Sequence, residues 1–200
     1  MQAMTQSSST LDRRQAVAAL LKDRGDLLVV TGLGSPSYDV HSLGDHDANF
    51  YLWGAMGSAA LVGLGIAQAQ PSRTVLVITG DGEQLMGLGG LATIAVAAPT
   101  NLVVVVIDNS HFGETGMQLS HTGLGLDLAK VAQSCGFSET KMVEDLNDVE
   151  ALRAALHQSA HGPCLFVVKV KAENPPRSLP PRDAVYGKNR FRAHLGLSPI

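Results

Sequence analysis

The chain has 200 residues, of which 45% are hydrophobic and only 16% are charged, and its formal net charge is −3. This length suffices for one domain with a core of its own, and the lack of a basic excess argues against a nucleic-acid-binding protein. No segment approaches about 18 uninterrupted apolar residues, and the first residues lack the pattern of a secretory signal. We therefore expect a cytoplasmic protein with no membrane partner.

The predicted elements alternate between helices and strands along most of the chain. The first helix carries an apolar face at helical spacing, and the strands are apolar runs too short for helices, which is typical of strands buried on both faces. In chain order the predicted elements are helix 10–22, strand 27–31, a polar loop at 35–50, a glycine- and alanine-rich helix at 53–68, strand 75–79, helix 83–98, strand 102–107, helices 127–134 and 148–160, and strand 165–170. This alternation predicts an α/β fold, a doubly wound and mainly parallel sheet with helices on both faces.

The two ends of the chain differ in composition from this core. Residues 1–9 are small and polar and are predicted to be a disordered leader, so the domain is expected to span residues 10–172. Two proline pairs and several arginines mark residues 173–200 as a semi-rigid arm, which we expect to wrap a neighbouring surface. The loop at 35–50 holds histidines and acidic residues without regular spacing, which favours a solvated loop over a metal site.

Small polar clusters follow two of the predicted strands. Strand 75–79 leads into Gly80-Asp81-Gly82, and strand 102–107 leads into Asp108-Asn109. Ligands of an open parallel sheet bind at the carboxyl ends of its strands, so the two clusters are expected to meet. A carboxylate and an amide oxygen at one point suit Mg²⁺, which takes few protein ligands and completes its shell with phosphate and water oxygens. Backbone amides at the start of the following helix would meet the phosphates.

Other readings of these short motifs stay open at this point. An isolated Gly-Asp-Gly is commonly an ordinary tight turn. Gly80-Asp81-Gly82 and Gly32-Leu33-Gly34 each begin like a dinucleotide-binding G-x-G, but neither has the third glycine, and the G-x-x-x-x-G-K-[ST] of nucleotide triphosphatases is absent. Cys135 and Cys164 lack the spacing of metal ligands, and we expect them to be reduced core thiols.

The chain resembles the thiamine diphosphate-dependent enzymes. Gly80-Asp81-Gly82 followed by Asn109, 28 positions after the aspartate (109 − 81), is similar to the GDG…N signature of that family. Trp53-Gly54-Ala55-Met56-Gly57 is similar to the family segment that holds the aminopyrimidine. Residues 50–68, the opening LDRRQAVAALL and the terminal LPPRD…KNRFRAHL resemble the subgroup of sulfopyruvate and phosphonopyruvate decarboxylases.

The resemblance implies thiamine diphosphate and Mg²⁺ as cofactors and gives roles to residues at matching positions. Asp81, Asn109 and the backbone carbonyl of His111 would bind the metal, and Met56 would be the apolar wedge that bends the cofactor. The implied cofactor-binding residues are Gly54, Ala55, Met56, Gly80, Asp81, Gly82, Glu83, Asn109, His111, Phe112 and Gly113. Asp108 departs from the pattern, since a second asparagine often stands there; it either tightens the metal site or caps a turn.

The same resemblance implies a partner. The glutamate that activates the cofactor in this family belongs to a separate pyrimidine-binding domain, and 200 residues hold only one domain of this kind. A pyrimidine-binding α subunit is therefore expected to supply it, in an α2β2-like or larger assembly. The substrate is expected to be a small 2-oxo acid, under a closing loop at residues 111–122. The catalytic candidates in that loop are His111, His121 and Glu114, since histidine can transfer protons near neutral pH.

The expected function is therefore that of the β subunit of a thiamine diphosphate-dependent decarboxylase. Two other classes stay open: a different thiamine diphosphate reaction, as in a split acetolactate synthase or a 2-oxo acid oxidoreductase, and a non-catalytic cofactor-binding module. The oxidoreductase would need iron–sulfur cysteines in itself or a partner, and two unspaced cysteines do not supply them.

Overall fold

The structure is a computed structural model that describes residues 9–157 and 161–199. The predicted leader therefore lies outside the described residues apart from Ser9, whose hydroxyl donates a 2.8 Å hydrogen bond to the Lys169 carbonyl oxygen. Among the described residues, no helix is long and apolar enough to cross a membrane.

Six strands form one parallel sheet in the order β2-β1-β3-β4-β8-β7, and β5 and β6 form a small antiparallel pair. The strands are β1 (Leu28–Thr31), β2 (Asn49–Tyr51), β3 (Val75–Gly80), β4 (Leu102–Asp108), β5 (His111–Phe112), β6 (Gln118–Leu119), β7 (Glu139–Val143) and β8 (Cys164–Lys169). The central strands β1, β3 and β4 are buried almost throughout, as their unbroken apolar sequences predict.

Helices cover both faces of the sheet. They are α1 (Arg13–Leu21), α2 (Ser35–His41), α3 (Ala59–Ala69), α4 (Asp81–Met86), α5 (Gly90–Ala97), α6 (Leu128–Cys135), α7 (Leu146–Ala155) and α8 (Ala184–His194). Apolar side chains of α3, α5, α6 and α8 form one core cluster with the sheet, and those of α1, α2 and α7 form the other. The predicted doubly wound α/β fold is thus confirmed.

Several elements differ from the sequence prediction. The polar loop predicted at 35–50 contains α2 and the first residues of β2, and the single helix predicted at 83–98 is two helices, α4 and α5. The break contains Gly87 and Gly89 and is followed by Gly90, and a Cβ on Gly87 would lie 1.9 Å from the carbonyl oxygen of Gly57, so only glycine fits at that position. The helix predicted over 148–160 runs instead from Leu146 to Ala155, and residues 158–160 lie outside the described part of the chain.

The C-terminal segment folds back onto this chain. Residues 173–183 have no regular structure, and they lead into α8, which the sequence did not predict. The Trp53 indole Nε1 donates to the Pro181 carbonyl oxygen at 2.7 Å, and Arg14 donates to the Pro176 carbonyl oxygen. Phe191 of α8 packs edge-on against Phe50, with ring centroids 5.4 Å apart. The segment therefore lies against α1, β2 and the loop that follows β2.

Candidate cofactor and metal site

The two polar clusters predicted to meet at the carboxyl ends of β3 and β4 lie side by side. β3 and β4 are hydrogen-bonded neighbours with Gly80 opposite Ile107, so Asp81 and Asp108 follow at adjacent strand ends. The Thr122 hydroxyl joins them, since Thr122 Oγ1 lies 2.8 Å from Asp108 Oδ1 and 3.2 Å from Asp81 Oδ2. The loop after β4 thus returns to connect the two strand ends.

Asp81 is a buried carboxylate without a cationic partner. Asp81 is the first residue of α4 and is 2% exposed. Its side chain accepts a hydrogen bond of 2.5 Å from the Ser120 hydroxyl. No ion pair involving Asp81 occurs within the described residues. Burial, and then the charge of nearby Asp108, raise the pKa of Asp81 to about 6. A bound cation would relieve both effects, because it favours the ionised carboxylate.

Asp108, by contrast, is fully engaged by this chain. Its Oδ2 accepts from the Lys169 ammonium at 2.9 Å, and its Oδ1 accepts from the Ser110 backbone N–H at 2.8 Å. Lys169 stands opposite Asp108 in the β4–β8 register. Asp108 therefore caps the turn after β4 and is neutralised there, which favours the turn-capping alternative over the metal-ligand one.

Asn109 and His111 are held in a tight turn. The Asn109 Oδ1 atom accepts from the His111 backbone N–H at 3.0 Å, and the His111 Nδ1 atom lies 2.8 Å from the Asn109 carbonyl oxygen. A carbonyl only accepts, so Nδ1 carries a hydrogen and donates it to this oxygen. Ser110 between them has a φ of 64°, a left-handed conformation that is uncommon for a residue with a side chain.

The Glu83 carboxyl group lies behind the strand end and is buried. Thr79 Oγ1 donates to Glu83 Oε2 at 2.9 Å, whereas Glu83 Oε1 has no hydrogen-bond partner within the described residues. The backbone amides of Leu33, Gly57 and Ala59 lie near the carboxyl group. A Cβ on Gly32 would lie 1.6 Å from Glu83 Oε2, so this carboxyl occupies the space that a side chain at position 32 would fill. Burial raises the pKa of Glu83, and these donors oppose the shift. Glu83 thus connects the loops after β1 and β2 with the end of β3.

The segment proposed to hold the aminopyrimidine is exposed and strained. Ala55 has a φ of 55°, and Met56 is 49% exposed. Gly57 packs directly against Gly87 at the end of α4. Non-glycine residues in left-handed backbone conformations cluster at functional sites, where the surrounding structure holds them.

A cleft of about 130 Å³ brings most of the predicted site residues together. Its lining includes the predicted residues Met56, Gly80, Asp81, Gly82, Glu83, Asn109, His111, Phe112, Gly113 and Glu114. Gly54, Ala55 and His121 do not line it; His121 instead packs edge-on against Phe112 at 6.3 Å between ring centroids. The lining residues that sequence reasoning missed are Arg13, Leu33, Ser35, Pro36, Met86, Ile107 and Thr115.

The donor set of this cleft fits Mg²⁺ and a diphosphate. Within the described residues no three His, Cys, Asp or Glu side chains form a metal-binding group. Asp81 and Asn109 offer one charged and one neutral oxygen, and Mg²⁺ commonly takes few protein ligands and completes its octahedron with phosphate oxygens and water. The uncompensated charge of Asp81 is the specific feature of this structure that a cation would satisfy.

Comparison with known proteins agrees with this geometry. Residues 40–168 match the family model described as thiamine pyrophosphate enzyme, C-terminal TPP binding domain. Sulfopyruvate decarboxylase subunit beta of Methanothermobacter thermautotrophicus is 39% identical over 164 residues, which are 82% of this chain and 84% of that subunit.

Two longer proteins match as well. Phosphonopyruvate decarboxylase of Streptomyces viridochromogenes is 42% identical over 147 residues, 73% of this chain but only 36% of that enzyme. The solved structure of benzoylformate decarboxylase from Polynucleobacter necessarius shares the fold, with a TM-score of 0.66 at 21% identity over 88% of this chain and 36% of that one. The chain therefore belongs to the thiamine pyrophosphate enzymes, as a domain of the C-terminal, TPP-binding type.

Proposed function

We propose that this chain is the thiamine diphosphate- and Mg²⁺-binding β subunit of a heteromeric 2-oxo acid decarboxylase acting on a substrate like sulfopyruvate or phosphonopyruvate. The observation that carries the proposal is the buried Asp81, which lies beside Asn109 and forms no ion pair with any residue that the structure describes. The chain aligns over most of its length with a sulfopyruvate decarboxylase β subunit. When bound, thiamine diphosphate supplies the carbanion-stabilising chemistry that decarboxylation of a 2-oxo acid needs.

Each side chain then has a defined task. Asp81 and Asn109, with the backbone carbonyl of His111, would hold the metal, and Ser120 would fix the Asp81 carboxylate through its 2.5 Å hydrogen bond. The amides of Gly82 and Glu83 at the start of α4 would hold diphosphate oxygens.

Of the two candidate histidines, His111 is better placed for proton transfer. It lines the cleft, and its Nδ1 contact with the Asn109 carbonyl oxygen fixes the ring, whereas His121 does not line the cleft and packs against Phe112. Glu114 also lines the cleft, but it is 2.9 Å from the Arg177 guanidinium and belongs to the wall of the site. We therefore rank His111 first as the catalytic candidate.

The exposed apolar side chains of the cleft support a partner subunit. Met56 and Met86 both line it and are 49% and 57% exposed. Large apolar side chains that remain exposed around a cleft commonly mark a protein interface. The relatives named as β subunits have the same implication, and we propose that the partner α subunit contributes the activating glutamate from across this surface.

The test is product analysis of the co-purified complex. The chain and the product of the neighbouring reading frame are expressed together and supplied with thiamine diphosphate, Mg²⁺ and a panel of 3-sulfopyruvate, 3-phosphonopyruvate and pyruvate. The proposal predicts stoichiometric CO₂ and aldehyde from at least one of these acids. Acyloin products would instead indicate carboligation, and electron transfer to an added acceptor would indicate an oxidoreductase.

A further inference from the structure

Arg13 is the one lysine or arginine among the described residues that line the cofactor cleft. It is the first residue of α1 and reaches the cleft beside Ser35 and Pro36 of α2. The residue as a whole is only 4% exposed. A buried cation needs a counter-charge, so the partners of Arg13 decide whether it can also bind a ligand in the cleft.

The Arg13 guanidinium is held through its Nε atom, and its two terminal nitrogens are not used in that contact. Its Nε donates a hydrogen bond of 2.6 Å to the Asp39 carboxylate, which is itself buried. Within the described part of the chain, the two terminal nitrogens of Arg13 make no hydrogen bond to a side chain. Neither is among the fully buried polar atoms that lack a hydrogen-bond partner. They therefore retain donors that can point into the cleft.

The local charges leave this guanidinium only partly neutralised. Asp39 also pairs with Arg14, whose Nε lies 3.6 Å from the other carboxylate oxygen, so two guanidinium groups share one carboxylate. Arg14 does not line the cleft, and its Nη2 donates to the Pro176 carbonyl oxygen. Of the two guanidinium groups that share Asp39, only that of Arg13 belongs to a residue lining the cleft.

The acidic residues of the cleft do not cancel this charge. Glu114 is paired with Arg177 at 2.9 Å, and Glu83 is directed toward Gly32 and Thr79. Asp81 is the proposed metal ligand. In the proposed function, the metal and the amides of Gly82 and Glu83 hold the cofactor diphosphate. Arg13 is then available to bind an anionic group of the substrate.

We infer that Arg13 forms the subsite for the distal anionic group of the substrate, a sulfonate or phosphonate on C3 of a 2-oxo acid. This assignment rests on the proposed function, which it deepens by naming the residue that selects a dianionic over a monoanionic acid. The planar guanidinium suits the task, because its terminal donors match the oxygens of such groups in pairs.

Steady-state kinetics of the complex test this assignment. In the complex with the partner, Arg13→Met should raise KM for 3-sulfopyruvate or 3-phosphonopyruvate by roughly 10- to 100-fold, the usual value of a hydrogen bond to a charged group. Its KM for pyruvate should change little, and Arg13→Lys should restore part of the preference. Arg14→Met is the matched control, since it removes the other partner of Asp39 outside the cleft. It should keep the preference, with at most a small decrease because Asp39 then pairs with Arg13 alone.

A binding measurement separates this assignment from the proposed function. Calorimetry on the cofactor-loaded complex compares 3-sulfolactate with lactate, analogues that have no 2-oxo group to decarboxylate. Wild type and Arg14→Met should bind 3-sulfolactate more tightly than lactate, and Arg13→Met should not. Because neither analogue is decarboxylated, this comparison tests the role of Arg13 even if the complex turns over no 2-oxo acid.

Two results would overturn the assignment. If wild type and Arg13→Met prefer the dianionic acid over the monoanionic one equally, Arg13 does not contact the distal anion. If Arg13→Met binds thiamine diphosphate more weakly but keeps this preference, Arg13 is a diphosphate ligand. Because Arg13→Met leaves Asp39 buried without its closest partner, the double variant Arg13→Met/Asp39→Asn is measured alongside. It removes both partners, and its preference should also be lost.

Discussion

At the scale of single residues, the site depends on how each carboxylate is neutralised. Lys169 neutralises Asp108, whereas Asp81 has hydroxyl donors but no cationic side chain paired with it in the described part of the chain. The metal-free chain therefore holds a buried carboxylate that is unfavourable when ionised. We expect this arrangement to reduce stability in the absence of Mg²⁺ and to favour metal binding.

Asp81 gives a pH dependence of known sign. Its pKa is raised from 3.8 to about 6, so the folded chain binds this proton more tightly than the unfolded chain does. Stability of the metal-free protein is consequently lost as the pH rises from about 4 through 6, by roughly 3 kcal/mol at full ionisation. Urea unfolding at several pH values should show that Asp81→Asn lacks this loss and is the more stable protein at pH 7. Parallel pH profiles for the two proteins would contradict the assignment.

Glu83 should act as a positioning residue between the loops. Glu83→Gln places donor hydrogens against the backbone amides of Leu33, Gly57 and Ala59, so we expect a loss of about 1–3 kcal/mol in the free energy of unfolding. Thiamine diphosphate binding should weaken as well, because the 53–58 loop is no longer fixed against α4. Thr79→Val removes only one donor and should cost less; an equal loss for both variants would argue against this role.

The sequence indicated part of this site. Gly80-Asp81-Gly82 and Asp108-Asn109 were recognisable because each follows an apolar strand, and parallel strands end at the same edge. The neutralisation of Asp108 was not recognisable, since Lys169 reaches it only through the β4–β8 register, 61 positions away. Arg13 likewise reaches the cleft through tertiary packing, for which no local motif exists.

At the scale of elements, the regular strands and amphipathic helices followed from periodicity, and the exceptions have specific causes. α2 looked like a loop because its buried residues include Ser37 and Asp39, which are satisfied by Thr31 and Arg13 rather than by apolar contacts. β7 is an edge strand with mostly exposed side chains and lacks an apolar run. The break between α4 and α5 coincides with Gly87, Gly89 and Gly90, which disfavour a continuous helix, and with the close approach of Gly57 to Gly87.

Ala55 and Ala98 give a matched pair for testing backbone strain in the loop after β2. Both are exposed and have left-handed φ values, 55° and 46°, but Ala98 lies at the C-terminus of α5. Glycine at either position should relieve strain and change stability by roughly 0.5–1 kcal/mol in the favourable direction. Only Ala55→Gly should also weaken thiamine diphosphate binding, measured by calorimetry, because the loop loses its fixed conformation. Equal cofactor affinity in both variants would show that Ala55 strain has no functional part.

α8 should contribute to the stability of the fold rather than act as a loose appendage. Phe191 is 4% exposed and packs on Phe50 within one core cluster. Phe191→Ala should lower the free energy of unfolding by about 3–5 kcal/mol, whereas Val185→Ala, at a position 63% exposed, should change it by less than about 0.5 kcal/mol. Denaturant unfolding measures both, and a small effect of Phe191→Ala would mean that α8 is not part of the core.

At the scale of the whole molecule, the proposed function makes the cleft one side of a larger site. Met86 lines the cleft at the proposed cofactor position and is 57% exposed. Leu43, which follows α2 in the chain, is 46% exposed and does not line the cleft. Met86→Glu should weaken assembly with the α subunit by at least about tenfold, because it places a charge in an apolar contact. Leu43→Glu is the control and should assemble normally in sedimentation experiments. Normal assembly of Met86→Glu would place the interface elsewhere.

The central claim is that this chain holds the metal–diphosphate half of an active site that a partner completes. The most direct measurement is release of CO₂ from 3-sulfopyruvate, with thiamine diphosphate and Mg²⁺ present, by this chain alone, by the α subunit alone and by the two together. Turnover is predicted only for the two together, and it should disappear when Asp81→Asn replaces the wild-type chain. Turnover by the purified chain alone would contradict the claim.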